Sequence, residues 1–346
     1  MRVWLDALTP KQGRLAACLS TTLGRRGFEV LVTCREYECT EATIRSYGLD
    51  PIVVGRYGGG TRYGKLMADV ERMRILADLV ARYKPSVLIS YPNPSAARVA
   101  YGLGVKYIVL NDSPHSEAAN ILSLPLCEAL VVSEGIPVSS LTPYLLPRSK
   151  IFQYRGVEEL LWVEGFEPSR EVLEELNLEK YEYVVVRPEE FKAAYYSWRG
   201  WGWIELCDEI VSSGLKVVVL PRYEEQRRRA VEKGYIVPEG CVDGLSLAYY
   251  ARALVTGGGT MAKEAALMGT PAYYTFPIKL YVNEYLAKLG FPLVHWSSSW
   301  RELVKDILEI DESVIRESKR AARRLAEKIE SPEKALFKAL REVIKH

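Results

Sequence analysis

The sequence predicts an α/β protein of two Rossmann-like domains facing a cleft, and three observations predict it. Short apolar segments alternate with amphipathic helical patterns along most of the chain. That rhythm pauses once, around Leu161–Arg170, at Gly165 and Pro168, and then resumes. Finally, a strand, three glycines, a helix and a further strand succeed one another across 253–277 (ALVTGGGTMAKEAALMGTPAYYTFP). The expected division is an N-terminal domain over 1–165, a second over 168–308 and a helical tail over 309–346.

In the first half the expected strands are Val3–Leu5, Glu29–Thr33, Pro51–Val54, Ser86–Ser90, Lys106–Leu110, Ala129–Val132 and Ile151–Gln153. Helices fall between them at Arg14–Arg26, Thr40–Tyr47, Lys65–Tyr83 and Ser95–Tyr101, two of them stopped by Gly27 and Gly48. Strands this apolar belong to a parallel sheet covered on both faces. The second half repeats the pattern. It runs through helix Ser169–Leu176, strand Tyr183–Val186, helix Trp203–Ser212, strand Lys216–Leu220, helix Glu224–Lys233, strand Tyr235–Val237 and helix Leu245–Ala251. The tail carries a basic cluster, Lys319-Arg320 with Arg323-Arg324, diluted by Glu317, Glu327 and Glu330. It reads as the solvated face of a packing helix.

With 346 residues, 48% hydrophobic and 26% charged, the chain has the composition of a globular protein with room for two cores. A net charge of +2 gives no reason to expect nucleic acid as a partner. No apolar run reaches membrane-spanning length and no signal-peptide pattern opens the chain, so a cytoplasmic location is expected, with peripheral membrane contact left open. Six dispersed cysteines without a C-x-x-C and only three histidines supply no usual metal site, and reduced thiols are expected. Few Asn and Gln beside many Arg, Lys and Glu suggest a thermophilic source.

The glycine segment carries the chemistry. Glycine lets backbone approach a ligand, and free N–H groups at a helix start favour an anion such as phosphate. Thr260 is expected to cap that helix, and Glu264 lies one turn further on. Arg187 and Arg222 each follow a strand and would present paired donors to the same phosphate. A second constellation follows strand Lys106–Leu110, where Asp112, His115 and Glu117 bring an imidazole between two carboxylates, a composition suited to proton transfer. Asp6, with Thr9 and Lys11 after the first strand, is a further candidate base. Tyr57-Gly58-Gly59-Gly60-Thr61 reads as a mobile lid, an acceptor-side contact or a plain loop. The aromatic cluster Tyr195, Tyr196, Trp198, Trp201 and Trp203 reads as a domain-interface patch or the lining of a sugar pocket.

GGTMAKEAALMGTP resembles the donor-nucleotide motif of GT-B enzymes, including MurG-type glycosyltransferases and UDP-N-acetylglucosamine 2-epimerases. The resemblance implies that Gly258, Gly259 and Thr260 face the diphosphate and Glu264 the ribose, with Gly257 and Met261 also in the nucleotide site, and that the C-terminal helix returns to the first domain. Gly58-Gly59, 95–104 (SAARVAYGLG), Asn111-Asp112-x-x-His115, 186–189 (VRPE) and 242–247 (VDGLSL) are similar to the domain of unknown function 354 family. From the epimerase pattern the chain departs at Ala119, where His-x-Glu-Ala-Gly has glycine, and at 187–190 (RPEE), where a histidine is missing. The implied function is a metal-independent, cofactor-free GT-B glycosyltransferase. It would carry sugar from a UDP-linked nucleotide-sugar to a glycan, lipid or small-molecule acceptor, with His115 or Asp112 taking the proton. A 2-epimerase using Asp112, His115 and Glu117 is the alternative, and a non-catalytic nucleotide-binding protein is the third. The sequence leaves the oligomeric state open.

Overall fold

A computed structural model describes residues 1–190 and 202–345. They form two compact units, one of Met1–Trp162 joined by the chain from Ser331 onward, the other of the remaining described residues between Val163 and Glu330.

In the first unit the order is β1 (Arg2–Ala7), α1 (Pro10–Arg25), β2 (Glu29–Glu36), α2 (Thr40–Arg45), β3 (Ile52–Arg56), α3 (Arg62–Tyr83), β4 (Val87–Ser90), α4 (Pro94–Gly102), β5 (Lys106–Leu110), α5 (Glu117–Ser123), β6 (Ala129–Ser133) and β7 (Lys150–Tyr154). All seven strands are parallel in the order β3-β2-β1-β4-β5-β6-β7. β4 and β6 are buried throughout, the consequence of helices on both faces. The strand order reverses between β1 and β4, and loops beyond their carboxyl ends open the crevice where such sheets hold ligands.

The short helix α6 (Leu160–Val163) spans the boundary in sequence, and the second unit then contains α7 (Glu171–Glu175), β8 (Tyr183–Arg187), α8 (Trp203–Ser212), β9 (Lys216–Val219), α9 (Glu224–Glu232), α10 (Gly244–Tyr250), β10 (Ala253–Thr256), α11 (Thr260–Leu267), β11 (Ala272–Tyr274), α12 (Tyr281–Lys288), β12 (Leu293–His295), α13 (Trp300–Leu308) and α14 (Glu312–Ala326). Its parallel sheet has the order β12-β11-β10-β8-β9, so the reversal lies between β8 and β10. The last helix, α15 (Glu333–Ile344), returns to the first unit and packs on β5, β6 and β7. There it buries Leu336, Phe337, Leu340 and Val343.

Several expectations change. The segment expected as one tail over 309–346 divides, since α14 packs on α11 while α15 packs on the first sheet, and this is the return of the C-terminal helix to the first domain that the GT-B resemblance implies. Tyr235–Val237 is not a strand but a single bridge from Ile236 to Val218, because Pro238 follows at once and cannot donate. The loop 57–61 is not free-standing: a Cβ on Gly58 would run into the Gly64 backbone, and Thr61 caps α3 through Gly64 N–H at 3.0 Å. Trp203 is buried in the second core beside Leu206, Leu303 and Ile307, while Tyr195, Tyr196, Trp198 and Trp201 lie outside the described residues. Cys18, Cys34, Cys127 and Cys207 are free thiols, but Cys39 and Cys241 are disulfide-bonded, against the expectation of six reduced groups. Among the described residues no helix is long and apolar enough to cross a membrane.

Candidate functional site

Both reversal points carry candidate sites, and they are built differently. At the β1–β4 reversal Asp6 is buried and held from three sides. Arg72 donates to its Oδ1 at 2.6 Å, and Thr33 and Asn93 add short hydrogen bonds. Arg72 is itself consumed by Val54 O and Ser95 Oγ. A carboxylate so enclosed is an element of the core, which removes Asp6 as the expected base.

Beside it lies a second constellation of ionisable side chains. α1 starts at Pro10 because Thr9 caps it through Gln12 N–H, and this puts Lys11 in its first turn. The Lys11 ammonium binds Asp112, which follows β5, together with Glu158 at 2.9 Å and Glu159 at 3.3 Å beyond β7. Tyr91, just past β4, donates to Glu158, and its ring lies 4.8 Å beneath the ammonium. Burial works to depress the Lys11 pKa, but the three carboxylates outweigh it and hold the group well above its ordinary value. Burial, with Glu158, Asp112 and Glu159 adding to it, drives the Tyr91 hydroxyl well above its usual range. The carboxylates of Asp112, Glu158 and Glu159 lie within 4.8 Å of one another, a donor set able to hold a cation. Lys11 supplies the positive charge in their midst.

The loop bearing Asp112 and His115 is fixed by two buried amides. Asn111 donates to Asn120 Oδ1 at 2.8 Å and accepts from Ser113 N–H, while Asn120 donates to the carbonyls of Ser113 and Pro114. Ser113 Oγ donates to Asp112 at 2.8 Å. His115 is half-buried in this turn. Glu117 opens α5 as an exposed residue and is not among the carboxylates around Lys11. Glu158 and Glu159, which sequence reasoning passed over, were recognisable only as a polar pair beyond a strand end. Lys11 was located but not paired, because its partners lie up to 148 positions away.

At the β8–β10 reversal the construction is mostly backbone. Thr256 and Arg187 are register partners, and Gly257 N–H donates to Arg187 O at 3.0 Å. Gly257 is obligatory, since a Cβ there would lie 2.6 Å from Glu189 Cα. At Gly259 a Cβ would meet Leu280 Cδ1 at 2.7 Å. Gly258 N–H turns to Thr256 Oγ1 at 3.2 Å, and a Cβ at Gly258 would lie 3.5 Å from a terminal nitrogen of Arg222. Arg222 is aimed by Pro188 O at 3.3 Å, and its backbone by Gln226. The helix cap is Gly259, with no side-chain bond, so Thr260 is the first helical residue rather than the expected cap. Met261 Cε lies 3.6 Å from where a Gly244 Cβ would stand, at the start of α10, whose own cap is Asp243. Glu264 is buried on the second turn of α11, next to buried Lys263. A cavity of about 600 Å³, lined in part by Glu189, Trp203, Glu205 and Arg229, adjoins the strand end that carries Arg187.

The family described as "Protein of unknown function (DUF354)" matches residues 1–345. The chain belongs to it. The uncharacterized protein MJ0665 of Methanocaldococcus jannaschii is 28% identical over 296 residues, covering 82% of this chain and 84% of the relative. Among solved structures, the Methanocaldococcus jannaschii UDP-GlcNAc 2-epimerase in complex with UDP-GlcNAc and UDP superposes with a TM-score of 0.70 at 14% identity, over 94% of this chain and 99% of that one. The Neisseria meningitidis UDP-GlcNAc 2-epimerase bound to UDP-GlcNAc gives 0.66 at 12%, over 99% and 100%. The spinosyn forosaminyltransferase SpnP gives 0.61 at 15%, over 99% of each chain. This DUF354 chain has the α/β fold of GT-B glycosyltransferases and UDP-GlcNAc 2-epimerases.

Proposed function

We propose that this DUF354 protein is a nucleotide-sugar-dependent glycosyltransferase of GT-B type that needs no metal ion. One observation carries the reading: the Arg222 guanidinium stands over the glycine loop at the β8–β10 reversal, where a diphosphate would accept from it and from the amides opening α11. Arg187 joins this grip and Glu264 takes ribose hydroxyls. Amides and guanidinium then stabilise the leaving diphosphate without a cation. In the first unit His115 removes the acceptor proton. Asp112 already accepts from Lys11 and Ser113, which suits it to stabilising charge rather than abstracting a proton. Lys11 answers the carboxylates that would otherwise invite a divalent ion.

Calorimetry with UDP-GlcNAc, UDP and GDP-sugars tests donor binding. A UDP-linked ligand binds, and Arg222→Ala weakens it roughly ten- to hundredfold, the loss of a charge-assisted contact. A folded protein that binds none of these ligands overturns the reading. A second reading, a 2-epimerase, is favoured by the crowding of carboxylates around Lys11, which offers acid and base forms side by side. Incubating UDP-GlcNAc without acceptor decides between them: 2-epimer or free sugar supports the epimerase, unchanged substrate the transferase.

A further inference from the structure

The solvent face of α3 carries an apolar seam that the core does not use. The helix docks through Arg72, Leu76 and Val80, which are buried. On the other side Tyr63 is 73% exposed, Leu66 59%, Met67 38% and Val70 45%. Met73 and Ala77 continue the seam half-buried, and Ala81 ends it exposed. The spacing is seven residues: Tyr63, Val70 and Ala77 form one row, Leu66 and Met73 a second, Met67, Arg74 and Ala81 a third. A seven-residue repeat of this kind is what a helix presents to another helix. The adjoining strand β3 lies at the sheet edge with Ile52 and Val53 exposed, so the apolar surface extends beyond the helix.

We propose that this face binds a second copy of the chain, α3 against α3, antiparallel about a two-fold axis. The seam is complementary to itself in that arrangement. With the axis near residue 72, Tyr63 meets Ala81 of the second copy, Leu66 meets Ala77 and Val70 meets Met73. Two of these pairs set a bulky side chain against a small one. The same alignment brings Arg74 alongside Glu71 of the second copy, twice by symmetry. Exposed charges along the helix change sign, from Arg62 to Glu71, Arg74, Asp78 and Arg82. Self-pairing needs both signs, whereas an anionic bilayer draws a uniformly basic face.

Light scattering and sedimentation velocity at micromolar concentration test this. Wild-type protein runs at twice the chain mass. Leu66→Glu, Glu71→Arg and Arg74→Glu each run as monomers with unchanged circular dichroism and melting, and the double variant E71R/R74E returns to the dimer. Leu308→Glu, on the exposed side of α13, stays dimeric. A monomeric wild type, a dimer indifferent to Leu66→Glu, or a double variant that stays monomeric overturns the proposal. So does co-sedimentation of monomeric wild type with phosphatidylglycerol vesicles that Leu66→Glu abolishes, which would make the seam a membrane face.

Discussion

The two reversal points occupy the same place in their respective sheets, yet one is made of side chains and the other of main chain. Between β1 and β4, charge is gathered from distant parts of the chain and balanced internally, as in Asp6 with Arg72 and Lys11 with its three carboxylates. Between β8 and β10, the essential groups are amides and absent side chains, with Arg222 as the added cation. The difference matches the chemistry proposed for each. Proton transfer needs side chains whose ionisation is tuned by neighbours, whereas a phosphate needs closely spaced donors that cost nothing to reorganise.

That contrast can be broken most severely at Arg72. Arg72→Leu leaves Asp6 charged and buried, and should cost roughly 3–5 kcal/mol in chemical denaturation. A loss below about 1 kcal/mol would mean Asp6 is not held as a charge. At the other site, Gly257→Ala forces the loop away from Glu189 and should cost roughly 1–3 kcal/mol while abolishing UDP-sugar binding by calorimetry. Equal binding by this variant would show that the glycine is needed only for the elbow.

Smaller effects sharpen the comparison within the second unit. Asp243 accepts from Leu245 and Ser246 N–H at 3.1 and 3.2 Å, so Asp243→Ala should cost about 1 kcal/mol. Thr260→Ala, at a position with no capping bond, should change stability by less than about 0.5 kcal/mol but weaken the nucleotide. Finally, Lys319 on α14 lies 3.4 Å over the Tyr249 ring and donates to Tyr249 O at 2.7 Å. Burial, with Lys180 and Arg323 nearby, pushes it from 10.5 down to about 7. The unfolded chain therefore binds more protons between those values, and stability should climb as pH rises from about 7 to 10.5. Lys319→Met should flatten that slope in denaturation curves taken across the window.

Alternation of apolar strands and helices makes both sheets legible, and the sequence alone puts Lys11, Asp112, Arg187 and Arg222 at strand ends. What the sequence hid was pairing across distance. Asp6 looks like a base until Arg72, sixty-six positions on, is seen to close on it. Glu158 and Glu159 look like loop charges until β7 takes its place at the end of the sheet. Thr260 looks like a cap because threonine usually is one there, but the tight Gly259 turn takes that position. Local chemistry is written locally, and ion pairs between elements are not.

The return of α15 also bears on how the molecule is made. The described residues of the second unit all lie between Val163 and Glu330, so it can condense during synthesis as soon as residue 330 is clear. The first must wait, its β5–β7 face uncovered, until Leu336, Phe337 and Leu340 emerge and Arg26 stacks 3.7 Å from the Phe337 ring. Synthesis thus runs opposite to assembly, and the half made earliest is the half completed last.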